Sequence, residues 1–210
     1  YIIDLTGRTP EKIAAAMPKD GRRGVKRAER VAKEAGVVIK DETGMDRATF
    51  DEVYRVLEET SERDGFTPHS ADVYWTMLTT LGEQARIYVA RLDGRPVAWV
   101  LVTVNGISSV AYYGASTTAE ATDWYAACDL AAKGYKGYDF MGAGSTRVPE
   151  LYSVGMYKKR FAQHPTEVDG AWDVPVQRPV FEALVAAKKA KHLVRKATVV
   201  ASKASEAIKR

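Results

Sequence analysis

The run Ala85-Arg86-Ile87-Tyr88-Val89-Ala90-Arg91-Leu92-Asp93-Gly94-Arg95-Pro96-Val97-Ala98-Trp99-Val100-Leu101-Val102-Thr103-Val104-Asn105-Gly106 decides the fold. Ala85 to Arg91 mixes β-branched and aromatic side chains, which fit a pleated surface. Asp93-Gly94 then gives a two-residue hairpin signal, since the favoured tight turn needs positive φ at both central positions. Pro96 to Val104 returns as a second strand, Asn105-Gly106 is another turn, and Ser108 to Tyr113 is a third strand. The middle of the chain is therefore an antiparallel meander.

Upstream, apolar residues recur at helical spacing. Phe50, Val53, Tyr54 and Leu57 mark a helix from Asp46 to Arg63, and Val73, Tyr74, Met77, Leu78 and Leu81 mark another over 70–81, capped by Ser70. Thr9-Pro10-Glu11 opens an earlier helix, with Thr9 as cap and Pro10 at the first helical position, and Pro18 and Gly21 interrupt it. A basic helix follows over 23–35 and stops at Gly36. Residues 2–5 and 37–39 read as short strands. Downstream come a helix from Glu120 to Lys133, a buried strand at Gly137-Tyr138-Asp139-Phe140, short strand-like pieces within 165–176 around Gly170, and a Lys-rich helical stretch over 179–210. This order predicts an α+β fold, a mixed and mostly antiparallel sheet flanked by helices. It resembles the GNAT acyltransferase architecture, in which a splayed sheet opens a cleft for the acyl donor. The expected organisation is one GNAT-like domain over 1–180 and a basic helical C-terminal segment over 181–210.

Composition narrows the chemistry. The single cysteine, Cys128, excludes an internal disulfide and a cysteine-based zinc site, and its apolar helical setting reads as packing. His69, His164 and His192 lack metal-ligand spacing, so no metal is expected. No apolar run approaches the roughly 18 residues of a membrane span. The opening Tyr1-Ile2-Ile3-Asp4-Leu5 does not have the pattern of a secretory signal. The net charge of +4 is concentrated at 19–30 and in the tail over 188–210, where Glu206 is the only acid. Such regions favour phosphate-bearing partners: nucleic acid, nucleotide or anionic lipid.

Five runs, in order along residues 1–180, resemble the Fem family (FemABX) of peptidoglycan aminoacyltransferases. They are Arg22-Arg23-Gly24-Val25-Lys26-Arg27-Ala28-Glu29-Arg30, Glu59-Thr60-Ser61-Glu62-Arg63-Asp64-Gly65-Phe66, Tyr112-Tyr113-Gly114-Ala115-Ser116, Gly137-Tyr138-Asp139-Phe140-Met141-Gly142 and Tyr157-Lys158-Lys159-Arg160-Phe161. The resemblance implies transfer of an amino acid from aminoacyl-tRNA to the side-chain amine of a stem peptide, on UDP-MurNAc-peptide or lipid II, with no further cofactor. The family pairs two GNAT-like domains and this chain matches the second, which implies a missing N-terminal domain or partner, or a reduced family member. It also implies a cytoplasmic location, including the inner face of the membrane. The family's basic helix commonly reads Asn-Ile-Arg-Lys-Ala where this chain has Gly24-Val25-Lys26-Arg27-Ala28, a departure that removes an amide able to orient a phosphate.

Each candidate residue has a bland alternative. Arg22, Arg23, Lys26 and Arg27 are taken to straddle a helix start, where backbone amides and guanidinium forks would cradle the acceptor's phosphates. The alternative is a solvated basic helix paired with Glu29 and Glu34. Tyr113, at a strand end, is assigned a substrate-binding hydroxyl, or else packs against the sheet. Tyr112 is assigned to the opposite face by strand alternation. Lys158 is the catalytic candidate, beside Tyr157 lining the same pocket, in a segment that otherwise reads as a turn into the sheet. A fixed cation would lower the barrier to the tetrahedral oxyanion, and Lys159 is its nearest competitor. Asp139 is weighed as general base and set aside as a turn brace. The tail would dock tRNA or an anionic membrane surface, or would simply be a structural helix. A rival enzyme reading is an acetyl-CoA-dependent acetyltransferase. That fold usually carries an Arg/Gln-x-x-Gly-x-Gly/Ala loop for the pyrophosphate, and Gly114-Ala115-Ser116-Thr117-Thr118-Ala119 departs from it. A third reading is a non-catalytic basic binding module.

Overall fold

Six strands form one sheet in the order β1-β6-β5-β4-β3-β2, in a computed structural model that describes residues 1–116, 119–145, 148–167, 174–188 and 190. The meander is present as read: β3 (Ala85–Leu92), β4 (Arg95–Asn105) and β5 (Ser108–Ser116) pair antiparallel. Asp93 and Gly94 both take positive φ, 49° and 80°, as the tight turn demands. At one edge β2 (Val38–Asp41) pairs with β3. At the other, β1 (Ile2–Asp4) pairs antiparallel with β6 (Gly137–Asp139), and β6 runs parallel to β5.

Helices cover both faces because β4 alternates apolar side chains to each. Trp99 and Leu101 join Phe50 and Val53 of α3 (Arg47–Asp64) and Tyr74 of α4 (Ala71–Leu81). Val100, Val102 and Val104 join Ile13 of α1 (Pro10–Ala16), Val25 of α2 (Lys19–Glu34) and Leu130 of α5 (Ala119–Ala132). The pairing of β5 with β6 ends at Val110 opposite Asp139, while β5 continues to Ser116. The sheet therefore splays beyond that point.

Three sequence readings need correction. The basic helix begins at Lys19, not 23, and runs through Gly21 and Gly24. A Cβ on Gly21 would lie 1.5 Å from the Arg160 carbonyl oxygen, and one on Gly24 would lie 2.3 Å from the Arg160 guanidinium. Both glycines are close-approach positions, and Gly21 is not the interruption expected of it. Residues 152–158 are not a turn into the sheet but a short helix, α6 (Tyr152–Lys158). At helical spacing Val154, Tyr157, Lys158 and Phe161 fall on one face, and Phe161 is buried against Phe140 with ring centroids 4.6 Å apart. Of the strand-like pieces expected at 165–176, the described residues 165–167 and 174–176 form none, and 168–173 lie outside the described residues.

The chain divides into two units, Tyr1–Thr166 and Glu167–Arg210. The first contains the whole sheet. In the second, residues 178–188 are helical, with an Arg178–Glu182 ion pair at 3.1 Å. His192 and the expected basic tail over 191–210 lie outside the described residues.

Candidate active site

The splay between β5 and β6 forms the candidate site. Once the two strands part, no ladder fills the gap, and a cavity of about 480 Å³ opens there. Its walls come from Tyr112 and Tyr113 on β5, Thr122 and Asp123 on α5, and Tyr157 and Lys158 on α6. The structure thus brings together three residues singled out in the sequence: Lys158, Tyr157 and Tyr113.

Lys158 is half-buried, and its Nζ donates to the Gly142 carbonyl at 2.6 Å. Burial pulls its ammonium below the ordinary lysine value, opposed by the charges of Asp139 and Asp123. Its neighbour Lys159 is exposed. The loop that supplies the Gly142 carbonyl is set by Asp139, whose Oδ1 accepts from the Met141 amide at 2.7 Å, with Met141 at a φ of 63°. Asp139 braces that turn.

Tyr113 sits edge-on to Tyr74 at 4.7 Å and to Tyr112 at 4.8 Å. Strand alternation fails for Tyr112. The register slips by one between Leu101 and Val102, so β5 carries an extra residue there and Tyr112 lines the cavity beside Tyr113 instead of packing on the far face.

Asp123 is the residue that sequence reading missed. It is 8% exposed and accepts two hydrogen bonds, from Tyr138 at 2.8 Å and from Tyr157 at 2.6 Å. Burial raises its carboxyl, opposed by the two phenolic donors and the Lys158 charge. Burial and the adjacent carboxylate push both tyrosine hydroxyls well above their usual range, so they remain protonated donors. The available signal was an acid within the apolar run Ala121 to Ala132, next to Trp124. Two further buried atoms in residues lining the cavity, Trp99 Nε1 and Thr122 Oγ1, have no hydrogen-bond partner.

The basic helix stands apart from this cavity. With α2 starting at Lys19, Arg22 to Arg27 lie beyond its opening amides, and the Arg22 amide already donates to Pro18 at 2.9 Å. The cradle at a helix start is therefore not formed by these residues. Arg22 reaches the Ala15 carbonyl at 3.3 Å, near the end of α1, while Arg23 and Lys26 are exposed. Arg27 borders a second cavity of about 720 Å³ between α2 and α5, which shares Ser116, Thr122 and Tyr157 with the first. At that border Glu120, in the first turn of α5, pairs with Arg160 at 2.7 Å. Cys128 packs beside the core, and burial pushes its thiol up to about 12, far from a reactive thiolate. Among the described residues no group of His, Cys, Asp or Glu is placed to hold a metal, and no helix is long and apolar enough to cross a membrane.

A splayed sheet with a cleft lined from β5 and the following helices defines a GNAT-type acyltransferase. The chain belongs to this family: the family model described as acetyltransferase (GNAT) domain matches residues 19–159. Its fold is Fem-like. FemX superposes with a TM-score of 0.65 at 15% identity, over 76% of this chain and 57% of that one. L-PGS from Bacillus licheniformis superposes at 0.51 and 16% identity, over 70% and 47%. An aminoglycoside acetyltransferase from an uncultured soil metagenomic sample, solved with sisomicin, superposes at 0.50 and 13%, over 68% and 98%. This chain thus spans less than two thirds of the FemX chain. No curated protein matches the sequence.

Proposed function

We propose that this chain transfers an aminoacyl group from aminoacyl-tRNA to an amine of a peptidoglycan precursor, UDP-MurNAc-peptide or lipid II, in building the interpeptide bridge. The acceptor amine attacks the ester carbonyl within the β5–β6 cleft. Lys158, held by Gly142 and partly desolvated, faces the charge that develops on the carbonyl oxygen, where a preorganised cation acts most strongly. Tyr113 and Tyr157 line the pocket that positions the ester. Among the described residues the cleft shows no nucleophile–base pair, so direct transfer without a covalent acyl-enzyme is the natural route.

The observation that carries this reading over the acetyl-CoA alternative is Glu120. A GNAT that uses coenzyme A places its pyrophosphate at the start of the helix after the central strand. Here that first turn holds a carboxylate, its Oε1 shielded from water and paired with Arg160. Glu120 thus occupies the Arg160 cation that an anion bound there would use. This favours a donor other than coenzyme A. The Fem-like fold supports the same choice.

The test is transfer of labelled amino acid from charged tRNA to UDP-MurNAc-pentapeptide. The expected outcome is turnover that Lys158→Met reduces by about 10²–10³-fold while precursor binding persists. Equal loss of binding and turnover would remove Lys158 from the transition state, and free thiol released from acetyl-CoA would support the other donor. Arg23→Ala with Lys26→Ala is expected to weaken precursor binding more at low salt than at high salt. Unchanged affinity would return that face of α2 to a solvating role.

A further inference from the structure

The Asp123 carboxylate is enclosed and doubly hydrogen-bonded, yet Lys158 alone does not account for it. Attack by an amine on an ester needs an acceptor for the amine's proton, and the other described carboxylates at or near the cleft are engaged elsewhere: Asp64, which also lines it, with Arg63, Asp139 at the Met141 amide and Glu120 with Arg160. Tyr157 borders the cavity and donates its proton to Asp123 Oδ2 at 2.6 Å, leaving lone pairs on its oxygen. Tyr138, fully buried, holds the other carboxylate oxygen at 2.8 Å and fixes its orientation.

We propose that Asp123 is a positioning residue for proton transfer, its carboxylate receiving through the Tyr157 hydroxyl the proton shed by the attacking amine. As the N–C bond forms, the amine N–H proton passes to Tyr157 Oη and the tyrosine's own proton passes to Asp123 Oδ2. When the bond to the leaving group breaks (the ester C–O of a charged tRNA or the thioester C–S of an acyl-CoA), the leaving oxygen or sulfur takes a proton back along the same path, and the carboxylate is restored. Lys158 carries the carbonyl oxygen's charge throughout. The relay rests on the reading of this cleft as a site of amine acylation, but not on the identity of the acyl donor.

The groups that act on this relay are Tyr138 and Asp139 of β6, Tyr157 and Lys158 of α6, Arg160 beyond it, Glu120 on the same helix as Asp123, and Tyr88 of β3. Burial raises the Asp123 carboxyl, so the acid limb of kcat/KM is expected above the ordinary carboxylate range, with activity falling as the carboxylate protonates.

The experiment measures the full chain with charged tRNA or acetyl-CoA as donor and UDP-MurNAc-pentapeptide as acceptor, across pH, for the wild type, Asp123→Asn, Asp123→Glu, Tyr157→Phe and the double variant Asp123→Asn with Tyr157→Phe. Asp123→Asn and Tyr157→Phe are each expected to lower kcat about 10²–10³-fold with little change in acceptor KM. The double variant is expected to be no worse than either single change, because both break one path. The acid limb disappears in Asp123→Asn and returns, displaced, in Asp123→Glu. An acid limb unchanged in Asp123→Asn, or wild-type kcat in Tyr157→Phe, overturns the relay alone. Wild-type silence with both donors overturns the acylation reading and the relay with it. If Asp123→Asn fails to fold by thermal melting, Tyr157→Phe decides, since a phenyl ring retains the packing against Phe140 and Phe161.

Discussion

At the scale of single residues, charge decides which contacts matter. Asp41 lies where β2, β3 and α5 meet, accepting from Arg86 at 2.9 Å and from Lys133 at 2.7 Å. Burial alone would raise its carboxyl, but hydrogen bonds from Lys133 and Thr43 outweigh that and bring it down to about 2. A carboxyl depressed on folding contributes stability above its unfolded value, and that contribution is lost as pH falls from about 4 towards 2. We expect Asp41→Asn to cost about 1–2 kcal/mol at neutral pH, after discounting for partial solvent screening, and to cost well under half of that near pH 2. Urea titrations at both pH values check this, and an equal loss at each would refute the charge argument.

At the scale of elements, α2 is a helix whose composition conflicts with its job until its neighbour is considered. Gly21 and Gly24 weaken an isolated helix, yet Gly21 makes room for the Arg160 carbonyl and Gly24 for the Arg160 guanidinium and Glu120. Gly21→Ala gains about 1 kcal/mol of helix propensity and forces the backbone at Arg160 to move, an overpacking cost of about 1–3 kcal/mol. The expected result is net destabilisation, and displacement of α6 should also lower transfer activity. Gly24→Ala meets the ends of flexible side chains and should be milder. A stabilised Gly21→Ala protein in chemical unfolding would show that the contact is not needed. The short helix α6 has the complementary explanation: seven residues do not sustain a helix in water, and Phe161, buried with Phe140 and Tyr157, anchors this one.

At the scale of the whole sheet-bearing unit, β4 is the shared wall of two cores. Trp99 belongs to one and Trp124 to the other, and alternate residues of one strand join them. Unfolding of that unit is therefore expected to be a single transition. Trp99→Phe and Trp124→Phe variants, followed by tryptophan fluorescence and by far-ultraviolet circular dichroism, should each show coincident midpoints for the two probes. Separated midpoints would mean that the two faces unfold independently. The same geometry places the cleft: β6 follows β5 for only three residue pairs, so the gap is a consequence of where the parallel ladder ends.

The meander, its hairpin turns and the helices over 47–64 and 71–81 were legible from sequence, because they rest on local rules: period, turn chemistry and capping act over a few residues, whereas Lys158 was singled out by family resemblance in a segment read as a turn. Tertiary structure alone decided the rest. Asp123 is an unremarkable acid in a helix until Tyr138, 15 residues away, and Tyr157, 34 residues away, close over it. Tyr112 changes role through a one-residue slip against β4. Gly21 reads as a breaker until Arg160 packs on it and on Gly24. In each case the deciding energy is a contact between segments distant in the chain: burial of a charge, a shift of register, or the close approach of two backbones.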